Sequence, residues 1–360
     1  MEKRHDYVLW FEECDLESIP IVGGKNASLG ELLKANIPVP PGFAVTTKAY
    51  NLFLEQGNIK KEIFKILKGI KADDVESGKK ASIAIRALIE STNVSDDLQD
   101  YIGEFYRRLS KKCNVPAVPV AVRSSATAED LPGASFAGQQ DTFLWIRGVD
   151  DIFKHVKKCW SSLFTARAIY YRAKMGFDHE QVEISVGVQK MANAWTAGVM
   201  FTLNPATGDR STIAIDANFG FGESVVSGEC TPDNFIINKI TDEIIKKSIS
   251  HKTILYTRDP ESHCVVKQNV PDERTDIQCV VDKDAIALAK IGKRIEEHYG
   301  KPMDIEWAID KDTPGKAKIM ILQSRPETVW SSKKVEPVMK ARSSALAHIC
   351  AGLVAGKKVN

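Results

Sequence analysis

The sequence predicts a mixed α+β protein. Three runs have the pattern of strands, at 117–122, 142–146 and 182–191. Other runs repeat apolar residues at the spacing of an amphipathic helix, and 282–299 is a clear example. With 360 residues the chain is long for one domain, so we expect two or three lobes.

The composition is that of an ordinary soluble globular protein. Hydrophobic residues make up 43% and charged residues 27% of the chain. The net charge of +2 and the scattered basic residues give no reason to expect a nucleic-acid partner. Seven dispersed cysteines without a C-x-x-C pair suit buried thiols in a reducing cytosol. No apolar run approaches the roughly 20 residues of a membrane span, so we expect a cytoplasmic protein with no membrane partner.

The N-terminal part is expected to form a short strand at 7–11, followed by a glycine turn and a helix. Two consecutive glycines give the turn, and leucines follow at helical spacing. Lys25 therefore lies near the start of a helix, where unpaired N–H groups favour an anion. A lone lysine at such a place is usually only solvated, so the pattern alone leaves both interpretations open.

The remaining elements follow from local patterns. Prolines force an extended approach to a strand within 37–47, and residues 48–111 have apolar stripes typical of packed helices. The pattern predicts one long helix over 150–175 and paired strands over 197–218. Residues 235–270 suggest short strands with charged turns.

A loop of small and polar residues follows the strand that ends at Val122. Small side chains let backbone N–H groups approach an anion closely, as in phosphate-binding loops. Arg123 enters this loop at the strand end, where a guanidinium could grip phosphate oxygens. A plain polar hairpin loop explains the composition equally well. The candidate loop residues are Ser124, Ser125, Thr127, Gly133, Ser135 and Gly138.

Two runs near residue 310 could bring four polar groups together. Asp304 and Glu306 alternate on one strand face, and Gln323 and Arg325 do the same on the next strand. If these strands pair as a hairpin, the four side chains converge. Glu306 with Gln323 would suit Mg²⁺, which takes oxygen ligands and shares them with nucleotide phosphates. Asp304 would be a further ligand or lie behind the ligands, and Arg325 would neutralise phosphate charge. The alternative is a surface hairpin with a salt bridge from Arg325 to a carboxylate.

Several long motifs resemble one enzyme family. AVRSSATAEDLPGASFAGQQDTFL, GGKNASL, VPPGFAVTT, WSSLFTARAIYYR, DIEWA and LQSRP resemble the nucleotide-binding domain of phosphoenolpyruvate synthase and its relatives. These relatives include pyruvate phosphate dikinase, rifampicin phosphotransferase and the free-standing ATP-binding subunit of phenylphosphate synthase. The likeness spans roughly residues 8–328. It implies an ATP-grasp-type domain in which two α+β lobes hold ATP in the cleft between them.

The resemblance also implies a domain division. The first part, 1–195, would carry the lysine motif, the phosphate loop and the adenine hinge. The second lobe, 196–328, would carry the strands that bind magnesium and phosphate. Residues 329–360 would be a linker or tail toward a swivelling phosphohistidine domain or a partner subunit.

The same resemblance assigns site residues. It implies that Lys25, Arg123 and Arg325 contact the phosphates of ATP and act in catalysis, with Gly133, Ser135 and Gly138 in the phosphate loop. Gln189 and the backbone around Met191 would meet adenine, although an ordinary half-buried strand is the alternative there. Glu223 would contact a ribose hydroxyl or a neighbouring polar group. Glu306, Gln323 and Asp304 would bind Mg²⁺ or support it.

The resemblance implies that ATP is split to AMP and phosphate. A histidine on a separate domain or subunit would take the β-phosphoryl group and pass it to a small acceptor bound elsewhere, pyruvate or phenol. None of the seven histidines lies in a Gly/Thr-rich setting like that of the family's phosphohistidine. The chain therefore resembles the ATP-using part of such a system. Because it begins with methionine, we favour a separate subunit, although the tail could also be the start of a swivelling domain.

Two other functions stay open. A self-contained ATP-grasp kinase or ligase would make ADP instead of AMP. A nucleotide sensor without turnover would bind ATP only. The intact set of phosphoryl-transfer groups argues against the sensor. This set comprises Lys25, Arg123, Glu306, Gln323 and Arg325.

Overall fold

The computed structural model describes residues 6–70, 74–93, 96–127, 141–262, 264–313 and 318–330. The described residues from 6 to 327 belong to the first of two compact units, and those from 328 onward belong to the second. Helices and antiparallel strands are mixed in the first unit, which confirms the predicted α+β class. Among the described residues, no helix is both long and apolar enough to cross a membrane. The expected tail begins at residue 329, and all but its first two residues lie outside the described part.

An antiparallel five-stranded sheet comes from the first half of the chain. Its strands are β1 (Val8–Trp10), β2 (Gly42–Val45), β3 (Val120–Ala126), β4 (Thr142–Ile146) and β5 (Ile184–Lys190). They lie in the order β1-β2-β5-β3-β4. The strand predicted to end at Val122 continues to Ala126, so Arg123, Ser124 and Ser125 belong to β3 and not to a loop. The expectation of a loop there was wrong because Ser124 and Ser125 are buried and pair with Val186 and Ser185 of β5.

Among the described residues, seven α-helices accompany this sheet. They are α1 (Ile19–Lys34), α2 (Thr47–Gln56), α3 (Lys60–Leu67), α4 (Val75–Ser91), α5 (Asp96–Lys112), α6 (Val149–Ser162) and α7 (Ala166–Met175). Helices α2 to α5 confirm the helical character of 48–111. The single helix predicted over 150–175 is two helices, because Thr165 starts a new one by accepting a hydrogen bond from the Ala168 amide at 3.2 Å.

A second antiparallel sheet has six strands in the order β13-β12-β6-β7-β8-β9. These strands are β6 (Ala194–Phe201), β7 (Thr212–Phe219), β8 (Asp233–Asn238), β9 (Ile244–Ser248), β12 (Met303–Asp310) and β13 (Ile319–Pro326). A separate hairpin consists of β10 (Ile254–Arg258) and β11 (Val265–Asn269). The short helix α8 (Glu223–Val226) follows β7, and α9 (Asp282–Tyr299) packs on the sheet.

Helix α1 contacts both sheets. It packs on β3 and β5 of the first sheet and on β13 of the second. Its buried residues Val22, Ala27, Leu29 and Leu32 share one hydrophobic core with the second sheet and α9. The first sheet ends at Lys190 and the second begins at Ala194. The predicted division at residue 195 therefore falls where the chain changes sheets, and the two-lobed organisation stays a prediction.

Candidate active site

A cavity of about 550 Å³ is lined by residues of both sheets and by one residue of α1. Eight of the described residues that the sequence proposed for the site line it, whereas Asp304 and the loop candidates Ser124, Ser125 and Thr127 do not. The eight residues are Lys25, Arg123, Gln189, Met191, Glu223, Glu306, Gln323 and Arg325. The proposed loop residues Gly133, Ser135 and Gly138 lie outside the described residues. Residues distant in sequence thus meet at one place.

The β12–β13 hairpin carries the metal candidates. In its register Asp304 lies opposite Arg325, and Glu306 lies opposite Gln323, which confirms the hairpin expected from the alternation. A register shift after Glu306 interrupts the ladder. Glu306 and Gln323 both line the cavity. Within the described residues no group of three or more His, Cys, Asp or Glu could hold a metal by itself. Two oxygen ligands from the chain suit Mg²⁺, which keeps its other positions for phosphates and water.

Arg123 links the two sheets across the cavity. From β3 its Nη2 donates to Glu306 Oε2 at 2.8 Å, and its Nη1 donates to the Leu322 carbonyl oxygen at 3.0 Å. The two side chains of this ion pair are only 18% and 23% exposed. A charged pair at this depth is screened less than a surface pair, so its geometry is well defined.

Arg325 is held by Asp304. Its Nε and Nη2 both lie 2.8 Å from Asp304 Oδ2. Burial raises the pKa of the Asp304 carboxyl, and the charge of Arg325 opposes this rise. Asp304 is not among the cavity residues, whereas Arg325 is. This geometry favours the position behind Arg325 over direct metal binding. The salt bridge from Arg325 to a carboxylate, which was the alternative for this hairpin, is present, and of its two partners Arg325 lines the cavity.

Glu223 is the first residue of α8 and lies near Arg123 and Glu306. Its Oε2 is buried and accepts no hydrogen bond from the described residues. Burial raises the pKa of Glu223, the negative charge of Glu306 adds to the rise, and Arg123 opposes it. A half-buried carboxylate with unused acceptor capacity is suited to a hydroxyl donor.

Asn218 holds the glycine-rich loop before Glu223, and sequence reasoning missed it. Its Nδ2 donates to Ser224 Oγ at 2.9 Å and to the Ile254 carbonyl oxygen at 2.8 Å. Gly220 has φ +76° and leaves no room for a Cβ beside the Tyr256 carbonyl. The signal was an asparagine directly before the Phe-Gly-Phe-Gly run.

The other end of the cavity is apolar. Leu144, Met191, Phe221 and Leu322 line it, and the Met191 amide already donates to the Pro119 carbonyl at 2.8 Å. Sequence reasoning missed Leu144, Phe221 and Leu322. Leu144 lies at a register shift between β3 and β4, beside Trp145 with φ +62°. No sequence signal marks this irregularity, since neither residue is a glycine.

Lys25 lies at the charged corner, with its Nζ donating to the Ser124 carbonyl oxygen at 3.0 Å. The cavity therefore has an apolar part and a charged corner. Three cations, Lys25, Arg123 and Arg325, and two carboxylates, Glu223 and Glu306, form the charged corner, and a fourth cation, Lys190, also lines the cavity. Such a gradient fits a ligand with an apolar ring at one end and anionic groups at the other.

Residues 19–346 match the family described as pyruvate phosphate dikinase, AMP/ATP-binding domain. The chain belongs to this family. The family description names AMP and ATP as the nucleotides that this type of domain binds.

Curated relatives of this AMP/ATP-binding domain are named phosphoenolpyruvate synthase. The protein of Pyrococcus furiosus is 44% identical over 359 residues, which cover 89% of this chain and 44% of that protein. The protein of Aquifex aeolicus is 44% identical, with 94% of this chain and 41% of that protein covered. A probable phosphoenolpyruvate synthase of Methanocaldococcus jannaschii is 46% identical over 93% of this chain and 28% of its own length. The chain thus spans less than half the length of these three relatives.

Proposed function

We propose that the chain binds ATP in this cavity as the ATP-using part of a phosphoenolpyruvate-synthase-like dikinase with a two-lobed ATP-grasp fold. The observation that carries the proposal is the polarity gradient of a cavity in a chain of the AMP/ATP-binding family. Adenine would lie among Leu144, Met191, Phe221 and Leu322, with Gln189 at its edge. The phosphates would lie at the corner of Lys25, Arg123 and Arg325. A volume of about 550 Å³ lies within the usual range for small-molecule sites.

Glu306 and Gln323 are the residues that would hold Mg²⁺. Their opposite positions in the β12–β13 ladder direct two oxygen-bearing side chains to one place. When bound, the ion would draw negative charge from the phosphate oxygens. Asp304 would fix the guanidinium of Arg325 toward the phosphates, because two of the three guanidinium nitrogens, Nε and Nη2, are engaged on one carboxylate oxygen.

Phosphoryl transfer needs positioning and neutralisation more than covalent chemistry from the protein. Lys25, Arg123 and Arg325 would neutralise charge on the phosphates. We infer that AMP and phosphate are released and that a histidine outside this part of the system carries the β-phosphoryl group to a small acceptor. The names of the relatives favour pyruvate as that acceptor, and phenol is the second candidate.

The test uses ATP labelled at the β-phosphate, with Mg²⁺, in the presence and absence of a polypeptide that carries the phosphoryl-accepting histidine. The proposal predicts AMP together with acid-labile label on that polypeptide. ADP without labelled protein would contradict it and would favour a self-contained kinase or ligase. Pyruvate and phenol are then compared as final acceptors of the trapped label.

A further inference from the structure

Helix α1 is broken immediately before Lys25. Gly23 has φ +72° and ψ 168°, which are far from helical angles. A Cβ at Gly23 would overlap the carbonyl oxygen and the hydroxyl of Ser125. Only glycine fits there, because it alone readily adopts these backbone angles and because there is no space for a Cβ. The regular helical bonding pattern cannot continue through such a residue, so the polar groups around the break need other partners.

Asn26 and Ser125 supply those partners. Asn26 Nδ2 donates to the Val22 carbonyl at 2.9 Å, and Ser125 Oγ donates to the same oxygen at 3.0 Å. Ser125 Oγ also accepts a hydrogen bond from the Asn26 amide at 3.4 Å. Both side chains are buried. The three bonds form a closed set around the break, and each one joins α1 to itself or to β3.

The break is also fixed against β5 and the second sheet. Asn26 Nδ2 donates to Ser185 Oγ at 3.1 Å, and a Cβ at Gly187 would overlap the Asn26 side-chain oxygen. Two residues after Asn26, Ser28 Oγ donates at 2.7 Å to the carbonyl of Ser324, which lies between Gln323 and Arg325 in the chain. The helix that carries Lys25 is therefore held in register with the strand that carries Gln323 and Arg325.

We propose that Asn26 and Ser125 are positioning residues that hold the break in α1, so that Lys25 reaches the phosphate end of the cavity. The proposal rests on the ATP site proposed above. It assigns Asn26 and Ser125 no contact with the nucleotide. Their effect is exerted through Lys25, which directly precedes Asn26 in the chain and donates to the carbonyl oxygen of Ser124, the neighbour of Ser125 in β3.

The experiment compares the dissociation constants of ATP and adenosine for wild type, Asn26→Ala and Ser125→Ala. Loss of one or two buried hydrogen bonds that position a cation should weaken ATP binding about tenfold. Adenosine has no phosphates, so its Kd should stay within about twofold. Ser110→Ala is the matched control, because Ser110 is buried and its Oγ accepts the Val118 amide at 3.2 Å in another part of the fold.

A double-mutant cycle with Lys25→Ala tests the route of the effect. If Asn26 acts through Lys25, Asn26→Ala should cost little more ATP affinity once Lys25 is gone. Additive losses would overturn the proposal, as would equal weakening of ATP and adenosine, since either result indicates a purely structural role. Ser125→Ala decides the question if Asn26→Ala does not fold. Failure of wild type to bind ATP would instead overturn the proposed function itself.

Discussion

The replacement of Glu306 by glutamine tests the charged corner most directly. Glu306→Gln keeps the size of the side chain and an acceptor oxygen, and it removes one negative charge. In the structure that charge is neutralised by Arg123 at 2.8 Å. The proposed function gives Glu306 a second role as a ligand of Mg²⁺. The substitution should therefore change the affinity for ATP in opposite directions with and without the metal.

The changes in ATP affinity without and with Mg²⁺ can be estimated separately. At roughly 6 Å, a carboxylate and a phosphate charge repel by about 0.7 kcal/mol in bulk water and by about 3 kcal/mol at an effective dielectric constant of about 20. Glu306 is 23% exposed, so about 1 kcal/mol is reasonable, and metal-free ATP should bind Glu306→Gln about fivefold more tightly than wild type. With Mg²⁺ the affinity should fall about 100-fold, since even indirect partners of metal ligands are worth about 10- to 100-fold.

Isothermal titration calorimetry with excess Mg²⁺ or with EDTA measures the affinity for ATP with and without the metal. Glu296→Gln is the matched control, because Glu296 pairs with Lys239 at 2.6 Å and these side chains are 21% and 14% exposed, but they do not line the cavity. The control should leave both affinities unchanged. If Glu306→Gln keeps the Mg²⁺ enhancement of wild type within about threefold, Glu306 is not a metal ligand and the reasoning is refuted.

Urea unfolding tests three further expectations. Burial raises the pKa of Glu223 above its ordinary 4.5. Protonated Glu223 therefore stabilises the fold fully below pH 4.5, and this stabilisation is lost as the pH rises through the raised pKa. Over that pH range the free energy of unfolding should fall less for Glu223→Gln than for wild type. Gly23→Ala should cost at least about 2 kcal/mol from strain and overlap, whereas Gly148→Ala, with φ +84° and open space, should cost about 1 kcal/mol. Lys252→Met should cost about 3–5 kcal/mol because it leaves fully buried Asp233 without its cation, and a loss below about 1 kcal/mol would contradict this.

The β12–β13 hairpin was predictable because strand periodicity is a strong signal. Alternation over 302–309 and 317–325 fixes which side chains share a face, and antiparallel pairing then brings the faces together. The observed pairs, Asp304 with Arg325 and Glu306 with Gln323, follow from that logic. Lys25 and Gln189 were predicted as site residues for a different reason, since their assignment came from the family motifs and not from spacing.

The features that the sequence did not reveal depend on tertiary contacts. Ser125 has the composition of a loop residue, yet it is a buried strand residue because α1 approaches β3 at Gly23. The apolar end of the cavity depends on the irregularity at Leu144 and Trp145, which no turn residue announces. The role of Asn218 could not be predicted without the position of the Ile254 carbonyl, which is 36 residues away in sequence. Residue propensity and hydrophobic periodicity carry no information about contacts between residues distant in sequence.

The ion pair of Arg123 and Glu306 explains how one corner can serve two charges of opposite sign. Each partner satisfies the other within the protein, so neither half-buried charge lies unpaired. ATP with Mg²⁺ carries both signs, and in the proposed site it would offer phosphate oxygens to Arg123 and a cation to Glu306. Exchange of the internal ion pair for these two external contacts would leave every charge neutralised. Neither ATP alone nor the metal alone can complete that exchange, which is why the proposed site should prefer the complex to its components.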